Sequence, residues 1–478
     1  MRSSDAVAAC DTLDPGGQVR DLIVAAIVLS SLPFCYRRPI LGLFMFSMLA
    51  YMRLQDLAWG FARFERWSFY VAVVTFAGFF SDRNRRAIVV TGRTVLIGFL
   101  PLWIFIGMFF AQGSAPKRFS DVIEYAKVVG VAVFTTSVVF NRAQLRMMMW
   151  VIALSFSFYG VKSGVAGIVS LGSMKIIQGP GGMLADNNDF ALALGTSIPI
   201  VFYMGLSERR PILRRVAMIV VPLTLITIMA THSRGAFLAT SVGVFVMVWR
   251  SRNRIAGLAI GMFLVLAAVA FAPSSYKDRI STIGDYESDG SAQGRLMAWK
   301  VARNMIERHP MTGVGFGRFK GNYFAHDTSP WRSKDHSKVA HNSYLQIWAE
   351  CGTPAFLVYL ILLFWSVLDV QAVRRLAKRR YHASWILNYC TMFEASLCTF
   401  MIGSVFLNRA HFDLIYHYFM IVMIFGRIAR EDMKTLDATS DSVLVSQHRG
   451  NRRGGTLVAN FKPGFSSVRV SKPGFRSS

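Results

Sequence analysis

The chain has 478 residues, 53% of them hydrophobic and only 17% charged, with a mean hydropathy of +0.39 and a formal net charge of +26. Its apolar residues fall in blocks of about 15–20, the length of membrane-spanning helices, and not in the amphipathic stripes of a soluble chain. Composition therefore excludes a soluble enzyme. The 5 cysteines, with no CxxC or Cys/His cluster at metal spacing, exclude a disulfide framework and a cysteine metal site.

In chain order, residues 1–20 form an N-terminal segment without the charged start and small-residue cleavage site of a signal peptide, so no processing is expected. Apolar spans are predicted near 21–36, 39–54, 67–80, 95–112, 122–140, 146–162, 190–206, 214–230, 235–249 and 255–272, and again at 354–370, 384–407 and 412–428. The first two are short for a bilayer about 30 Å thick and read either as two spans or as one re-entrant pair. The expected fold class is an all-α integral membrane protein of about 12–13 transmembrane helices. It comprises a bundle at 21–272, one large loop at 273–342, C-terminal transmembrane helices at 343–430 and a basic, disordered tail at 431–478. Small residues such as Gly164, Gly167, Gly195, Gly243 and Gly261 are the expected helix-packing points.

The placement of the charge sets the topology. Lys and Arg concentrate in the linkers Tyr36–Pro39, Ser81–Arg93, Asn141–Arg146, Ser207–Arg215, Arg250–Arg254 and Gln371–Ala383. The alternate linkers are poorer in them, a positive-inside bias that puts the first set in the cytoplasm. The tail, with "HRGNRRGG" and "KPGFRSS", falls on the same side, where anionic lipid headgroups are its expected partner and nucleic acid is not. The large loop then faces outward, into the periplasm of a Gram-negative cell.

Within that loop, "YESDGSAQGRLMAWKVARNMIERHP" opens with turn residues. It continues with Leu296, Trp299, Ala302, Met305 and Ile306 at helical spacing, which predicts an amphipathic helix of about four turns lying on the membrane surface. "GVGFGRF" (313–319) has no strand before it and reads as a flexible turn, not a dinucleotide fingerprint. "HNSYLQIWAECG" (341–352) returns the chain to the bilayer with His341 at the start of a helix.

Polar groups gather at this outer edge: Asp186, Asn187, Asn188 and Asp189 in "GPGGMLADNNDF", His232 and Arg234 in "THSRGAF", Arg295, Arg318, and Arg409 and His411 in "LNRAHFD". Each has a plain reading. An arginine at a span end snorkels to headgroups, Asp or Asn before a helix caps it, and an interfacial histidine is a satisfied hydrogen-bonder. Intramembrane charges are few, namely Glu124, Lys127, Lys162 and Glu394, and Glu124 with Lys127 at i, i+3 reads as self-neutralising. As a set, however, several guanidinium groups around one aqueous pocket repel one another unless they share an anion, and their forks match phosphate oxygens. A lipid carrier's pyrophosphate is the anion available there, and a neutral His341 beside it would take the proton of an attacking hydroxyl.

"HNSYLQIWAECG", "THSRGAF", "SAQGRLMAW" and "GVGFGRF" together resemble the O-antigen ligase (Wzy-C) superfamily of lipid-linked glycan ligases and polymerases. The opening "VRDLIVAAIVLSSLPFCYRRPILGLFMFSMLAYMRLQDLAWGFA" is similar to its branch of exosortase-associated O-glycosylation ligases. The resemblance implies an inverting glycosyltransferase of the bacterial inner membrane, without metal or cofactor, moving a glycan from undecaprenyl pyrophosphate to a glycan, lipid or protein acceptor. By motif position it makes His341 the catalytic base and Arg234 and Arg295 the pyrophosphate ligands. Arg318 and Arg409 are alternatives for the latter, and Asp189, Tyr344 and His411 are acceptor-side or structural candidates. The competing reading is a transporter or flippase of lipid-linked glycans, which predicts broken helices, mid-membrane charges and a repeat relating two halves.

Overall fold

A computed structural model describes residues 15–113, 119–251, 255, 257, 290–329, 338–380, 384–408 and 413–451. It is all-α: among the described residues there is no strand, only one isolated antiparallel bridge between Gln178 and Asp186. The chain divides into Met1–Arg430 and Glu431–Ser478, each taken by itself below.

In the first unit the helices are α1 (Pro15–Arg37), α2 (Pro39–Tyr51), α3 (Phe61–Phe64), α4 (Trp67–Ser81), α5 (Gly92–Phe109), α6 (Phe119–Val138), α7 (Arg142–Val169), α8 (Asn187–Leu206), α9 (Pro211–Ala230) and α10 (Arg234–Arg250). After them come α11 (Gly290–Arg308), α12 (Phe319–His326), α13 (Ser343–Arg380), α14 (Ser384–Phe406) and the start of α15 (Asp413–Asn451). Every predicted span falls on one of these except 255–272, which apart from Ile255 and Gly257 lies outside the described residues. Among the described residues, seven helices are long and apolar enough to cross a membrane, and α2 and α4 are shorter apolar helices. The chain is a multi-pass membrane protein. The opening pair is unequal: α1 has 23 residues, roughly 35 Å, while α2 has 13, roughly 20 Å and short of a bilayer.

Helix α8 is the axis of the bundle. It packs against α7, α9, α10 and α14, and its apolar window is 89% buried against 28% for α9. A helix apolar on all sides can be buried on all sides, whereas α9 keeps one side for lipid. Close approach is set by small residues. A Cβ on Gly195 would collide with Thr240 of α10, one on Gly243 with Thr399 of α14, and one on Gly164 with the Leu223 carbonyl of α9.

The ends of the helices away from the loop are held by ion pairs. Glu394 accepts from Arg374 Nε at 2.9 Å and Nη2 at 2.8 Å, and from Arg250 Nε at 3.0 Å, joining α10, α13 and α14. Asp369 accepts from Arg93 at 3.2 Å and from Arg430, and Arg146 reaches Glu208 at 2.6 Å. Glu124 and Lys127 do pair, at 2.6 Å, on an exposed face.

The loop differs from expectation in two ways. The buried face of α11 is Ala298, Val301, Ala302 and Met305, while Leu296 is exposed. That face packs on Val314, Phe319, Tyr323, Ala340 and Ala349, so the protein itself covers the stripe expected to lie on the membrane. The "GVGFGRF" stretch is an ordered turn: Val314 and Gly315 donate to the carbonyls of Ala349 and Glu350 at 2.9 and 3.0 Å. The Glu350 carboxylate, buried at 2% exposure, accepts from the backbone of Gly317 and Phe319 at 3.1 and 3.0 Å. Gly352 (φ 77°) breaks α13 there, because a Cβ would strike the Met311 carbonyl, so residues 343–351 form a segment separate from the long span that follows.

In the second unit the chain expected to be disordered from 431 is helical to Asn451. The tail beyond Asn451 lies outside the described residues.

Among the described residues the Glu394 cluster is a deeply buried ionic group, so Glu394→Gln, which leaves two cations facing each other, is expected to cost about 3–5 kcal/mol. It should lower the thermal midpoint in detergent markedly. Lys127→Ala, in the exposed pair, should hardly move it.

Candidate functional site

His341 is not the cap of the helix that follows. Asn342 is: its Oδ1 accepts from the backbone of Tyr344 and Leu345, both at 3.0 Å. His341 stands one residue outside with φ 48°, in the left-handed region, one of four non-glycine residues there among those described. The cause is local. Trp299 of α11 donates its indole N–H to the Ala340 carbonyl at 3.1 Å, and Ser343 donates its hydroxyl to the Leu407 carbonyl at 2.8 Å. The chain must turn sharply between these pins, and His341 absorbs the turn at a cost of about 1–2 kcal/mol.

The second element is the turn before α10. Ser233 caps α10 through the Ala236 N–H at 3.3 Å, and His232 before it is also left-handed, with φ 56°. Arg234 is therefore the first residue of a helix, where the dipole disfavours a cation and favours an anion. This turn is tied to the first residue of α8 by Asn187 Nδ2 donating to the Thr231 carbonyl at 2.9 Å, and to the segment before α8 by Ile176 N donating to the Ala230 carbonyl at 2.8 Å. A Cβ on Gly235 would lie 2.9 Å from Phe406 and 3.8 Å from Leu407, the same end of α14 that receives Ser343. Arg234 and His341 thus flank one helix end.

The third element is Arg295 on α11. Its cation acts directly on His341, whose pKa is held below the ordinary 6.5, first by burial and then by Arg295; Lys338 adds to the depression and Asp186 opposes it. The four groups share one polar region, and the half-buried imidazole is neutral at pH 7. Asp186 has a second task, as read from the sequence: its Oδ1 caps α8 by accepting from Asn188 at 2.8 Å and Asp189 at 3.3 Å.

The other candidates are placed differently. Arg318 is 5% exposed and donates Nη2 to the Gly113 carbonyl at 3.0 Å. Its neighbours Gly317 and Phe319 donate their backbone N–H groups to the Glu350 carboxylate. Tyr344 donates its hydroxyl to the Met401 carbonyl at 3.0 Å, a helix-to-helix tie. Asp189 is buried in the first turn of α8. Arg409 and His411 lie outside the described residues. Sequence reasoning missed Lys338 and the pin from Trp299, which join positions about 40 residues apart without any motif.

Two family models match the chain. Residues 219–360 match O-antigen ligase, and residues 19–210 match a family of unknown function (DUF5935). No curated protein matches it. The matches do not single out the exosortase-associated branch. The first match holds Arg234, Arg295 and His341 together, and residues 219–360 are an O-antigen ligase domain.

Proposed function

We propose that this protein transfers a glycan from undecaprenyl pyrophosphate to an acceptor hydroxyl, with His341 as general base and Arg234 and Arg295 as the pyrophosphate ligands. The observation that carries the reading is the neutral, half-buried imidazole at a left-handed pivot beside Arg295, next to the helix end that seats Arg234. In the step itself, the acceptor oxygen forms a bond to the anomeric carbon as the bond from that carbon to the pyrophosphate oxygen breaks. The hydroxyl proton passes to His341, and the electron pair leaves on the pyrophosphate, where the guanidinium groups stabilise it. Attack opposite the departing oxygen inverts the anomeric centre. The acceptor is a lipid, a protein or a growing glycan, so ligase and polymerase remain one class here. The site faces the periplasm and the C-terminus the cytoplasm of the inner membrane, in keeping with the basic linkers. The mid-membrane charge that would favour a transporter is weakened as a signal, because Glu394 is satisfied by Arg374 and Arg250.

The test is purified protein in lipid vesicles with undecaprenyl-pyrophosphate glycan and a panel of acceptors. Wild type should release undecaprenyl pyrophosphate and form product, and His341→Gln should lose a factor of about 10²–10⁴ in rate at equal folded amounts. Equal rates would remove His341 from the chemistry. His341→Gly should lose activity while holding or raising thermal stability by up to about 1 kcal/mol, since glycine accepts the left-handed turn without strain. Arg234→Lys should also fail, because an ammonium cannot make the two-point contact of a guanidinium. Because only the neutral base accepts a proton, the rate should fall on acidification with a midpoint below 6.5. Asp186→Asn, which removes the group raising that pKa, should move the fall to still lower pH.

A further inference from the structure

Arg53, with φ 50°, is another of the left-handed residues, and it stands in the turn that follows α2. The turn is fastened. Tyr159 of α7 donates its hydroxyl to the Met52 carbonyl at 2.7 Å, and Asp56 N donates to the Arg53 carbonyl at 2.9 Å. Arg53 Nε donates to the Asp56 carboxylate, and the side chains of this ion pair are only 21% and 12% exposed, so water screens it less than a surface pair. The pair lies on the glycines of "GPGGMLAD" (179–186). A Cβ on Gly182 would overlap the Arg53 guanidinium, and one on Gly181 would come within 2.9 Å of Asp56 Oδ2. Both glycines have positive φ, 51° and 117°, and only bare backbone of that shape leaves room for the pair.

The loop beneath the pair ends at Asp186. Gly179 N donates to the Ala185 carbonyl at 2.8 Å, and the bridge between Gln178 and Asp186 closes the loop at its base. Asp186 then caps α8 and acts on His341. Contacts therefore run from Tyr159 through Arg53, Asp56 and the two glycines to the loop that carries Asp186. We propose that the Arg53–Asp56 ion pair is a positioning group, a clamp on residues 178–186 that holds the Asp186 carboxylate in place beside His341. It gives the stretch matched to a family of unknown function a part in the site. The proposal deepens the transferase reading and rests on it for the pH dependence of the rate; the ionisation of His341 can be measured without it. The charged groups acting on that imidazole are Arg295 from α11, Lys338 from its own segment and Asp186 from the clamped loop. Asp186 is the one that raises its basicity, so a released loop lets the midpoint fall.

The test is NMR titration of ring-labelled His341 in the purified full chain in lipid, beside the transfer rate against pH. Arg53→Met should lower the midpoint about as far as Asp186→Asn does, and Asp56→Asn should lower it too. A direct field on His341 would move the two variants in opposite directions, because one leaves an anion behind and the other a cation. In the Asp186→Asn background neither change should move the midpoint further, and Arg53→Lys, which keeps the ion pair, should restore most of the wild-type value. A pair that merely held the fold would leave the ionisation of His341 in folded protein where it was. Unchanged midpoints, opposite shifts, or full shifts in the Asp186→Asn background overturn the proposal. The expected shifts in a protein that transfers glycan to no acceptor would uphold the clamp and sink the transferase reading instead.

Discussion

The polar end of the molecule depends on one constraint, the fastening of residues 340–343 at both ends. The Trp299 indole holds the Ala340 carbonyl, Ser343 holds the Leu407 carbonyl, and Asn342 takes two N–H groups of the helix it starts. Four hydrogen bonds at about 0.5–1.5 kcal/mol each outweigh a left-handed His341 at about 1–2 kcal/mol. The strained residue is therefore stable where it stands, and the imidazole is delivered to a fixed place. The same fastenings connect α11 of the loop to the end of α14 in the bundle.

Charge is used differently at the two ends of the bundle. Away from the loop, Glu394, Asp369 and Glu208 are matched with arginines from neighbouring helices, and the basic linkers do structural work as well as setting topology. Around His341 the charges act on a titratable group instead: Arg295 and Lys338 lower its pKa, and Asp186, which also caps a helix, raises it.

Much of this was legible beforehand. The spans follow from blocks of apolar residues, Arg234 and Arg409 stand out as cations at short outer turns where the positive-inside rule does not want them, and His341 stands out where the large loop re-enters the bilayer. Asp186 was readable as a cap, though not as a neighbour of His341. What could not be read was geometry made by distant pairs. The stripe on α11 looked like a membrane-facing surface because Ala340 and Ala349, which cover it, are remote in sequence. The glycines of 313–317 looked like a flexible turn because the carboxylate that orders them, Glu350, belongs to the next helix. Arg318 was named as an alternative to Arg295, and its hydrogen bond to the Gly113 carbonyl appears only once α5 and the loop are folded together.

The account stands on a neutral His341 held by neighbouring cations, so the most direct measurement is its ionisation. Purified protein carrying ring-labelled histidine would be titrated by NMR, with His341→Gln identifying the signal. The account predicts a midpoint below 6.5 that moves up when Arg295 is changed to Gln. A midpoint at or above 6.5, indifferent to Arg295, would contradict it.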